Sequence, residues 1–295
     1  MIFVVLVSAS VTAGVLAGLA VRAWPAADPA ADISQVVGRQ LRRDGRLRVV
    51  RARFDPATAT GLALTVASTA VVVAGVVVGV LFAVARSREV LGVDTAVANW
   101  AATHATSAST SVLRALTWLG STTVVLAVIV VVGCIEWRRT RGRSLWLFLA
   151  LVAGGQLLIA NLIKLGVERA RPAIDPLASF SGSSFPSGHT VAAASCYAAV
   201  ALVISRQRTP GTRAALAALA AALTVAVGAS RILLGVHWFT DVVAGLAVGW
   251  GWFALCAIAT GGRLLRFGAP VEQATTSARE DGAREVVSKR ARQAS

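Results

Sequence analysis

Residues suited to phosphate chemistry are concentrated in three short clusters in the second half of the chain. The clusters are Lys164–Pro172 (KLGVERARP), Pro186–His189 (PSGH) and Ser230–Asp241 (SRILLGVHWFTD). They bring one lysine, three arginines, two histidines and an aspartate into a sequence otherwise rich in Ala, Val and Leu. Charges at the edges of such apolar segments cost free energy, so they usually serve a function. Cations around a phosphate, one imidazole to attack phosphorus and a second to protonate the leaving oxygen are what phosphoryl transfer needs.

The first two clusters suit an anion-binding pocket. Lys164 and Arg171 are seven residues apart, about two helical turns, so both can lie on one face of a helix. The turn Pro186–Gly188 stands where the next apolar segment begins, and a helix start offers free N–H groups and a partial positive charge. Gly188 lets the backbone approach an anion closely. His189 would lie beside that anion, and a nearby dianion favours the protonated imidazole that a general acid requires.

The third cluster supplies a nucleophile and a group to orient it. His237 and Asp241 stand at i and i+4 at a predicted helix start. The carboxylate can therefore accept one imidazole N–H and leave the other nitrogen free to attack phosphorus. Arg231 adds a cation at the end of the preceding apolar segment. Arg169 and Glu168, by contrast, are expected to form a solvated pair at a loop or helix end.

The elements that must position these clusters are membrane spans. The chain has 295 residues, 56% of them hydrophobic, and a mean hydropathy of +0.70. A helix needs about 20 apolar residues to cross a hydrocarbon core about 30 Å thick. Seven segments approach or exceed this length: Ile2–Val21, Gly61–Ala85, Ser121–Glu136, Leu145–Ile163, Thr190–Ser205, Ala214–Leu234 and Val242–Ala259. We predict an all-α polytopic transmembrane bundle, with a six-helix core and one extra N-terminal transmembrane helix.

Counting spans places all three clusters on one face of the membrane. Arginines fill alternate loops on the other face: Arg39, Arg42, Arg43, Arg46, Arg48, Arg51 and Arg53, then Arg138, Arg139, Arg141 and Arg143, then Arg206, Arg208 and Arg213. The positive-inside rule assigns those loops to the cytoplasm, so the clusters are predicted to lie on the extracytoplasmic face of the cell membrane. The net charge of +15 suits anionic membrane lipids, and no nucleic-acid partner is expected because no binding motif accompanies it.

Three parts of the chain are predicted: an N-terminal helix with a basic cytoplasmic linker (1–60), the six-helix domain (61–262) and a polar, disordered cytoplasmic tail (263–295). The first span could instead be a signal peptide, because Ala23–Ala27 loosely resembles a cleavage region. It lacks a basic n-region, and its removal would invert the charge pattern of the other loops, so a retained helix is favoured.

The external segment 86–120 is expected to carry a helix along the membrane surface, with Val90, Val93, Val97, Trp100 and Ala101 on its apolar face. A lid that guides substrate and a plain connector are both open interpretations of it. Outside this segment, the spacing of the pair Gly245 and Gly249 is typical of close helix packing. The cysteines, Cys134, Cys196 and Cys256, lack metal-ligand spacing and are expected to be small buried side chains.

The three clusters together resemble the signature of the type 2 phosphatidic acid phosphatase superfamily, which is Lys, six residues, Arg-Pro; Pro-Ser-Gly-His; and Ser-Arg, five residues, His, three residues, Asp. Every specified position is filled here, by Lys164, Arg171, Pro172, Pro186, Ser187, Gly188, His189, Ser230, Arg231, His237 and Asp241. The resemblance implies phosphate-ester hydrolysis through a phosphohistidine, without a metal or other cofactor. It further implies His237 as nucleophile, Asp241 as its orienting partner and His189 as general acid. The implied phosphate-holding residues are Lys164, Arg171, Ser187, Gly188 and Arg231.

The expected function is therefore that of a membrane phosphatase acting on a lipid phosphate, of the bacterial phosphatidylglycerophosphatase B or undecaprenyl-diphosphatase type. A polyprenyl diphosphate, phosphatidylglycerol phosphate and phosphatidic acid all fit as substrates. Two alternatives stay open: a phosphotransferase that passes the same phosphoryl group to a second lipid or sugar, and a non-catalytic lipid-phosphate binder. Membrane lipids are the expected partners, and the sequence predicts no oligomeric state.

Overall fold

The computed structural model describes residues 1–23, 79, 88–140, 143–174, 176–206 and 208–260. Within these ranges the chain forms eight α-helices and no strands. The helices are α1 (Ile2–Ala23), α2 (Arg88–Thr103), α3 (Ser107–Trp118), α4 (Thr122–Thr140), α5 (Arg143–Val167), α6 (Gly188–Ser205), α7 (Pro210–Leu233) and α8 (Phe239–Thr260). The all-α prediction is confirmed.

Five of these helices, α1, α5, α6, α7 and α8, are long and apolar enough to cross a membrane. Helices α3 and α4 pass the same test only as a pair, bent by 49°. Six of the seven predicted spans therefore coincide with described helices. The remaining one, Gly61–Ala85, lies outside the described residues apart from Gly79, and so do both predicted boundaries at 60/61 and 262/263.

Helix α6 forms the centre of the bundle, because α4, α5 and α7 all pack against it. Small residues also allow α8 to approach α6 closely. A Cβ on Gly249 of α8 would lie 2.6 Å from the Cβ of Ala194 and 2.7 Å from the carbonyl oxygen of Val191. The close packing predicted for the pair Gly245 and Gly249 is therefore observed between α8 and α6.

The N-terminal helix α1 packs along α7. Gly14 lies so close to α7 that a Cβ there would stand 2.9 Å from the Ala218 carbonyl oxygen. At its first turns, Ile2 and Leu6 are buried in a cluster that includes Val236, the residue before His237. Helix α1 therefore lies beside residues of the third sequence cluster.

Helix α2 forms where predicted, but its buried face differs from the predicted one. Ala101 is buried as predicted, whereas Val93 is 50% exposed. Asp94 and Ala98, which were not predicted to lie on the apolar face, are buried, and Asp94 is only 1% exposed. The valine-based prediction of the face was wrong at this turn, because the buried Asp94 forms an ion pair with Arg169 that offsets the free-energy cost of burying its charge.

Candidate active site

The three sequence clusters meet at one end of the bundle. The first follows from α5, the second begins α6, and the third joins α7 to α8. The backbone N–H of Ser187 donates to the carbonyl oxygen of Asp241 at 3.0 Å, which ties the start of α6 to that of α8. A Cβ built on Gly188 would lie 3.5 Å from Nζ of Lys164, so the lysine head group reaches the start of α6.

The imidazole of His237 is buried and held between a carboxylate and a guanidinium. Its Nδ1 lies 3.5 Å from Oδ2 of Asp241, and its Nε2 lies 3.2 Å from Nη1 of Arg171. Because a guanidinium only donates, Nε2 must accept, which puts the proton of a neutral ring on Nδ1. This tautomer turns a lone pair of His237 toward the cations and its N–H toward Asp241, although the Nδ1–Oδ2 distance exceeds a normal hydrogen bond.

Burial keeps this imidazole neutral. Desolvation lowers the pKa of His237 from its ordinary 6.5 to about 4, and the neighbouring Asp241 opposes the shift only in part. The positive charges of Arg171 and Arg231 act in the same direction as burial. His237 is thus unprotonated at neutral pH, as a nitrogen nucleophile must be.

The carboxylate of Asp241 is fully buried and fixed by several donors. Oδ2 accepts from the hydroxyl of Ser184 and, at 2.9 Å, from the backbone N–H of Trp238. Oδ1 accepts from Nη1 of Arg169 at 2.6 Å. The carboxylate therefore has one orientation, and in that orientation Oδ2 is the oxygen that faces His237.

Arg171 ties together the two loops that border the site. Its guanidinium donates to the carbonyl oxygens of Ser181, Gly182 and Ser183, and Nη1 also donates to Val236 at 2.7 Å. With the contact to His237, these acceptors engage all three of its nitrogen atoms. Burial lowers the pKa of Arg171 from its usual value, and the charge of Asp241 opposes that effect. A phosphate at this place would have to replace some of these partners.

Arg231 is a buried cation with an unfilled donor. It is 5% exposed, and Nη1 donates to the hydroxyl of Thr117 at 3.0 Å. Its Nε is buried and has no hydrogen-bond partner. A buried charged donor left unpaired is costly, so the arrangement suits an anion that completes the coordination of this guanidinium.

His189 lies in the first turn of α6 and faces the same charges. Electrostatic interactions connect it with Arg231, His237, Lys164 and Arg171. The side chain of Ser187, at the N-cap, makes no capping bond to the first turn. The first N–H groups of α6 are thus open to an external acceptor, as at helix starts that bind phosphate.

The structure brings together all eight residues predicted from the sequence. It also adds residues that the sequence reasoning missed. Arg169, expected in a solvated pair with Glu168, instead has a side chain only 13% exposed that bridges Asp241 and Asp94. Asp94 itself was not singled out, although an aspartate in an otherwise apolar helical segment was a usable signal.

No group of three or more His, Cys, Asp or Glu side chains within the described ranges is arranged to hold a metal ion. The catalytic candidates are instead surrounded by Lys164, Arg171 and Arg231. This arrangement can bind an oxyanion, present it to an imidazole lone pair and offer a second imidazole as proton donor.

Comparisons with known proteins find phosphatases among the relatives of this chain. A model of the PAP2 superfamily matches residues 143–264. Phosphatidylglycerophosphatase B of Bacillus subtilis (strain 168) is 34% identical over 144 residues, which cover 47% of this chain and 68% of that protein. Lipid A 1-phosphatase of Rhizobium etli is 38% identical over 120 residues, which cover 37% of this chain and about half, 47%, of that protein.

A solved structure is similar as well. The crystal structure of the first transmembrane PAP2 type phosphatidylglycerolphosphate phosphatase from Bacillus subtilis has a TM-score of 0.59 and 29% sequence identity. The similarity covers 63% of this chain and 92% of that chain. With its apolar helices and these relatives, the chain is a multi-pass membrane protein that belongs to the PAP2 superfamily, the family predicted from the three clusters.

Proposed function

We propose that this protein hydrolyses the phosphomonoester or diphosphate of a lipid at the extracytoplasmic face of the cell membrane, through a phosphohistidine on His237. The observation that carries the proposal is the geometry around that ring. Nε2 presents a lone pair to a cluster of cations, while the opposite nitrogen faces Asp241. The names of the relatives, phosphatidylglycerophosphatase B and lipid A 1-phosphatase, support a lipid phosphate as substrate.

In the first step, the substrate phosphoryl group takes the place between the cations. Arg171 exchanges its contact with His237 for a phosphate oxygen, and the Nε of Arg231 gains the acceptor it lacks. Nε2 of His237 then forms a bond to phosphorus as the bond from phosphorus to the lipid oxygen breaks. His189 gives a proton to that leaving oxygen, and Asp241 stabilises the positive charge that develops on the phosphorylated ring.

In the second step, water replaces the imidazole. His189, now neutral, takes a proton from the attacking water, whose oxygen bonds to phosphorus while the bond from phosphorus to Nε2 breaks. Inorganic phosphate leaves and both histidines return to their starting states. No electron acceptor or metal ion takes part in either step.

The lipid is expected to enter sideways between helices, so that its phosphate docks at headgroup depth while its chains stay in the bilayer. The extracytoplasmic location is inferred from the positive-inside rule, because the arginine-rich loops lie on the opposite face of the membrane. Among the three candidate lipids, the relatives' names favour testing phosphatidylglycerol phosphate beside a polyprenyl diphosphate and phosphatidic acid.

The test is phosphate release by purified protein in detergent micelles, with excess chelator, from each of the three lipids. At least one should yield inorganic phosphate with the chelator present, and His237→Ala should abolish turnover. Wild-type turnover in that variant would refute the mechanism. Radiolabelled phosphate accumulating in a second lipid or a sugar, in place of inorganic phosphate, would mark a phosphotransferase.

A further inference from the structure

A chain of buried charges extends from the catalytic carboxylate to helix α2. Arg169 donates from Nη1 to Oδ1 of Asp241 at 2.6 Å and from Nη2 to Oδ2 of Asp94 at 2.7 Å. Asp94 and Asp241 are both essentially inaccessible to solvent. Beyond His237, the order of contacts is thus Asp241, Arg169, Asp94.

Asp94 also holds the first turn of the catalytic helix α8. Its Oδ1 accepts from the backbone N–H of Thr240 at 3.0 Å, and its Oδ2 accepts from the hydroxyl of Thr240 at 2.7 Å. Thr240 precedes Asp241, so a residue of α2 accepts a hydrogen bond from one of the free N–H groups in the first turn of α8, beside the bond from the Trp238 N–H to Asp241. Removing one member of such a buried ionic group leaves the others uncompensated.

We infer that Asp94 and Arg169 are positioning residues of the reaction, which hold the Asp241 carboxylate so that Oδ2 stays directed at Nδ1 of His237. This inference rests on the proposed function, in which the Asp241 carboxylate orients His237 and stabilises its positive charge. Neither residue touches the phosphoryl site. Asp94 lies outside residues 143–264, so the family match alone does not point to it. The sequence left open whether helix α2 is a lid or a connector. In this inference it carries a residue that positions the catalytic carboxylate.

The two charges have opposite effects on the nucleophile. The positive charge of Arg169 partly offsets the negative charge of Asp241, and the negative charge of Asp94 partly offsets that of Arg169. The other titratable groups that act on His237 are Arg171 from the loop after α5, Arg231 from α7 and His189 from α6, all unchanged by substitutions at the pair. Neutralising Asp94 therefore exposes His237 to the positive charge of Arg169, whereas neutralising Arg169 strengthens the negative field of Asp241.

The experiment measures the pKa of His237 by NMR. The chain has three histidines, His104, His189 and His237, so protein labelled with ¹⁵N-histidine gives few NMR signals, which His104→Gln and His189→Gln assign. Asp94→Asn, Arg169→Gln and the double variant are titrated in detergent micelles. Their kcat and KM for the best lipid substrate are measured beside Arg139→Gln, which breaks the remote surface pair with Glu136.

We expect Asp94→Asn to lower the pKa of His237 and Arg169→Gln to raise it, each by on the order of one pH unit, the shift that a unit charge produces over about 10 Å at an effective dielectric constant of about 20. The double variant should return it close to the wild-type value. In both single variants kcat should fall about 10- to 100-fold, the range typical of partners that orient a reactive ligand, with KM within about twofold. Arg139→Gln should match wild type in every measurement.

Structural damage alone would move both single variants in the same direction, and that result would overturn the inference, as would unchanged kcat. If Arg169→Gln does not fold, Arg169→Lys provides the test. It keeps the charge but lacks the two separate guanidinium nitrogens that reach Asp241 and Asp94, so kcat should fall while the pKa of His237 stays near wild type. A shifted pKa in Arg169→Lys would contradict the electrostatic part. Failure of wild type to release phosphate would refute the proposed function instead, and the titration would still decide the role of the pair.

Discussion

The contact between α6 and α8 gives a sharp test of how packing sets the site geometry. A Cβ added at Gly249 would lie 2.6 Å from the Cβ of Ala194, which is 0.8 Å short of the 3.4 Å at which ordinary contact begins. Gly251, two residues further along the same helix, has nothing within 4 Å of its added Cβ. Gly249→Ala and Gly251→Ala therefore make the same chemical change on one helix with opposite steric consequences.

The magnitude for Gly249→Ala follows from two opposing effects. Overpacking costs about 1 to 3 kcal/mol, and the better helix propensity of alanine offsets about 0.5 to 1 kcal/mol. At the middle of both ranges the net loss is about 1.3 kcal/mol, which corresponds to a fall in thermal midpoint of about 2 to 5 °C. Because α6 begins with the Pro-Ser-Gly-His turn, the forced shift also misplaces His189, and kcat should fall about tenfold or more.

The assay uses thiols that the fold itself buries. Cys196 and Cys256 are buried as predicted, whereas Cys134 is exposed, so the prediction that it is buried was wrong. In a Cys134→Ser background a fluorogenic maleimide therefore reports unfolding in detergent. Gly251→Ala should unfold at or slightly above the parent temperature with unchanged kcat. Equal midpoints and equal kcat for the Gly249 and Gly251 variants would refute the claim that this contact positions the site.

Three further outcomes are expected. Orthovanadate at 100 times its Kd should stabilise the wild type by about 2.7 kcal/mol, and Arg231→Gln should lose that thermal shift because the unpaired Nε is gone. The free energy of unfolding should fall by about 3 kcal/mol as the pH drops from 6.5 to about 4. The reason is that His237 takes up a proton at a higher pH in the unfolded chain than in the folded one. Urea titrations should show a smaller fall for His237→Gln. Gly120→Ala should lower kcat, because its Cβ would approach that of His189 to 3.1 Å, whereas Gly154→Ala, with open space around it, should not.

Hydropathy and motif spacing predicted much of this molecule. Apolar length located the spans, since a membrane helix must satisfy its own backbone wherever it lies in the bundle. The clusters located His237 and Asp241, because their i, i+4 spacing already brings the two side chains together. Local geometry was sufficient in both cases.

The residues that were missed depend on contacts between distant parts of the chain. Arg169 lies next to Glu168 in sequence, so a local pair was the natural expectation, yet the chain turn at Glu168, where φ is 42°, is followed by burial of Arg169 against α8. Asp94 is 147 residues before Asp241, and no helical period relates them. The face of α2 was misjudged for the same reason, because an ionic partner from another helix outweighed the valine pattern.

The central claim is a covalent bond between phosphorus and Nε2 of His237. Its most direct test is alkaline quenching of enzyme mixed with ³²P-labelled lipid substrate, followed by peptide mapping of the base-stable label. The account predicts an acid-labile label on the peptide that contains His237, absent from His237→Gln and formed within a single turnover. A protein that releases phosphate rapidly while carrying no label at His237, or carrying it on another residue, would contradict the account.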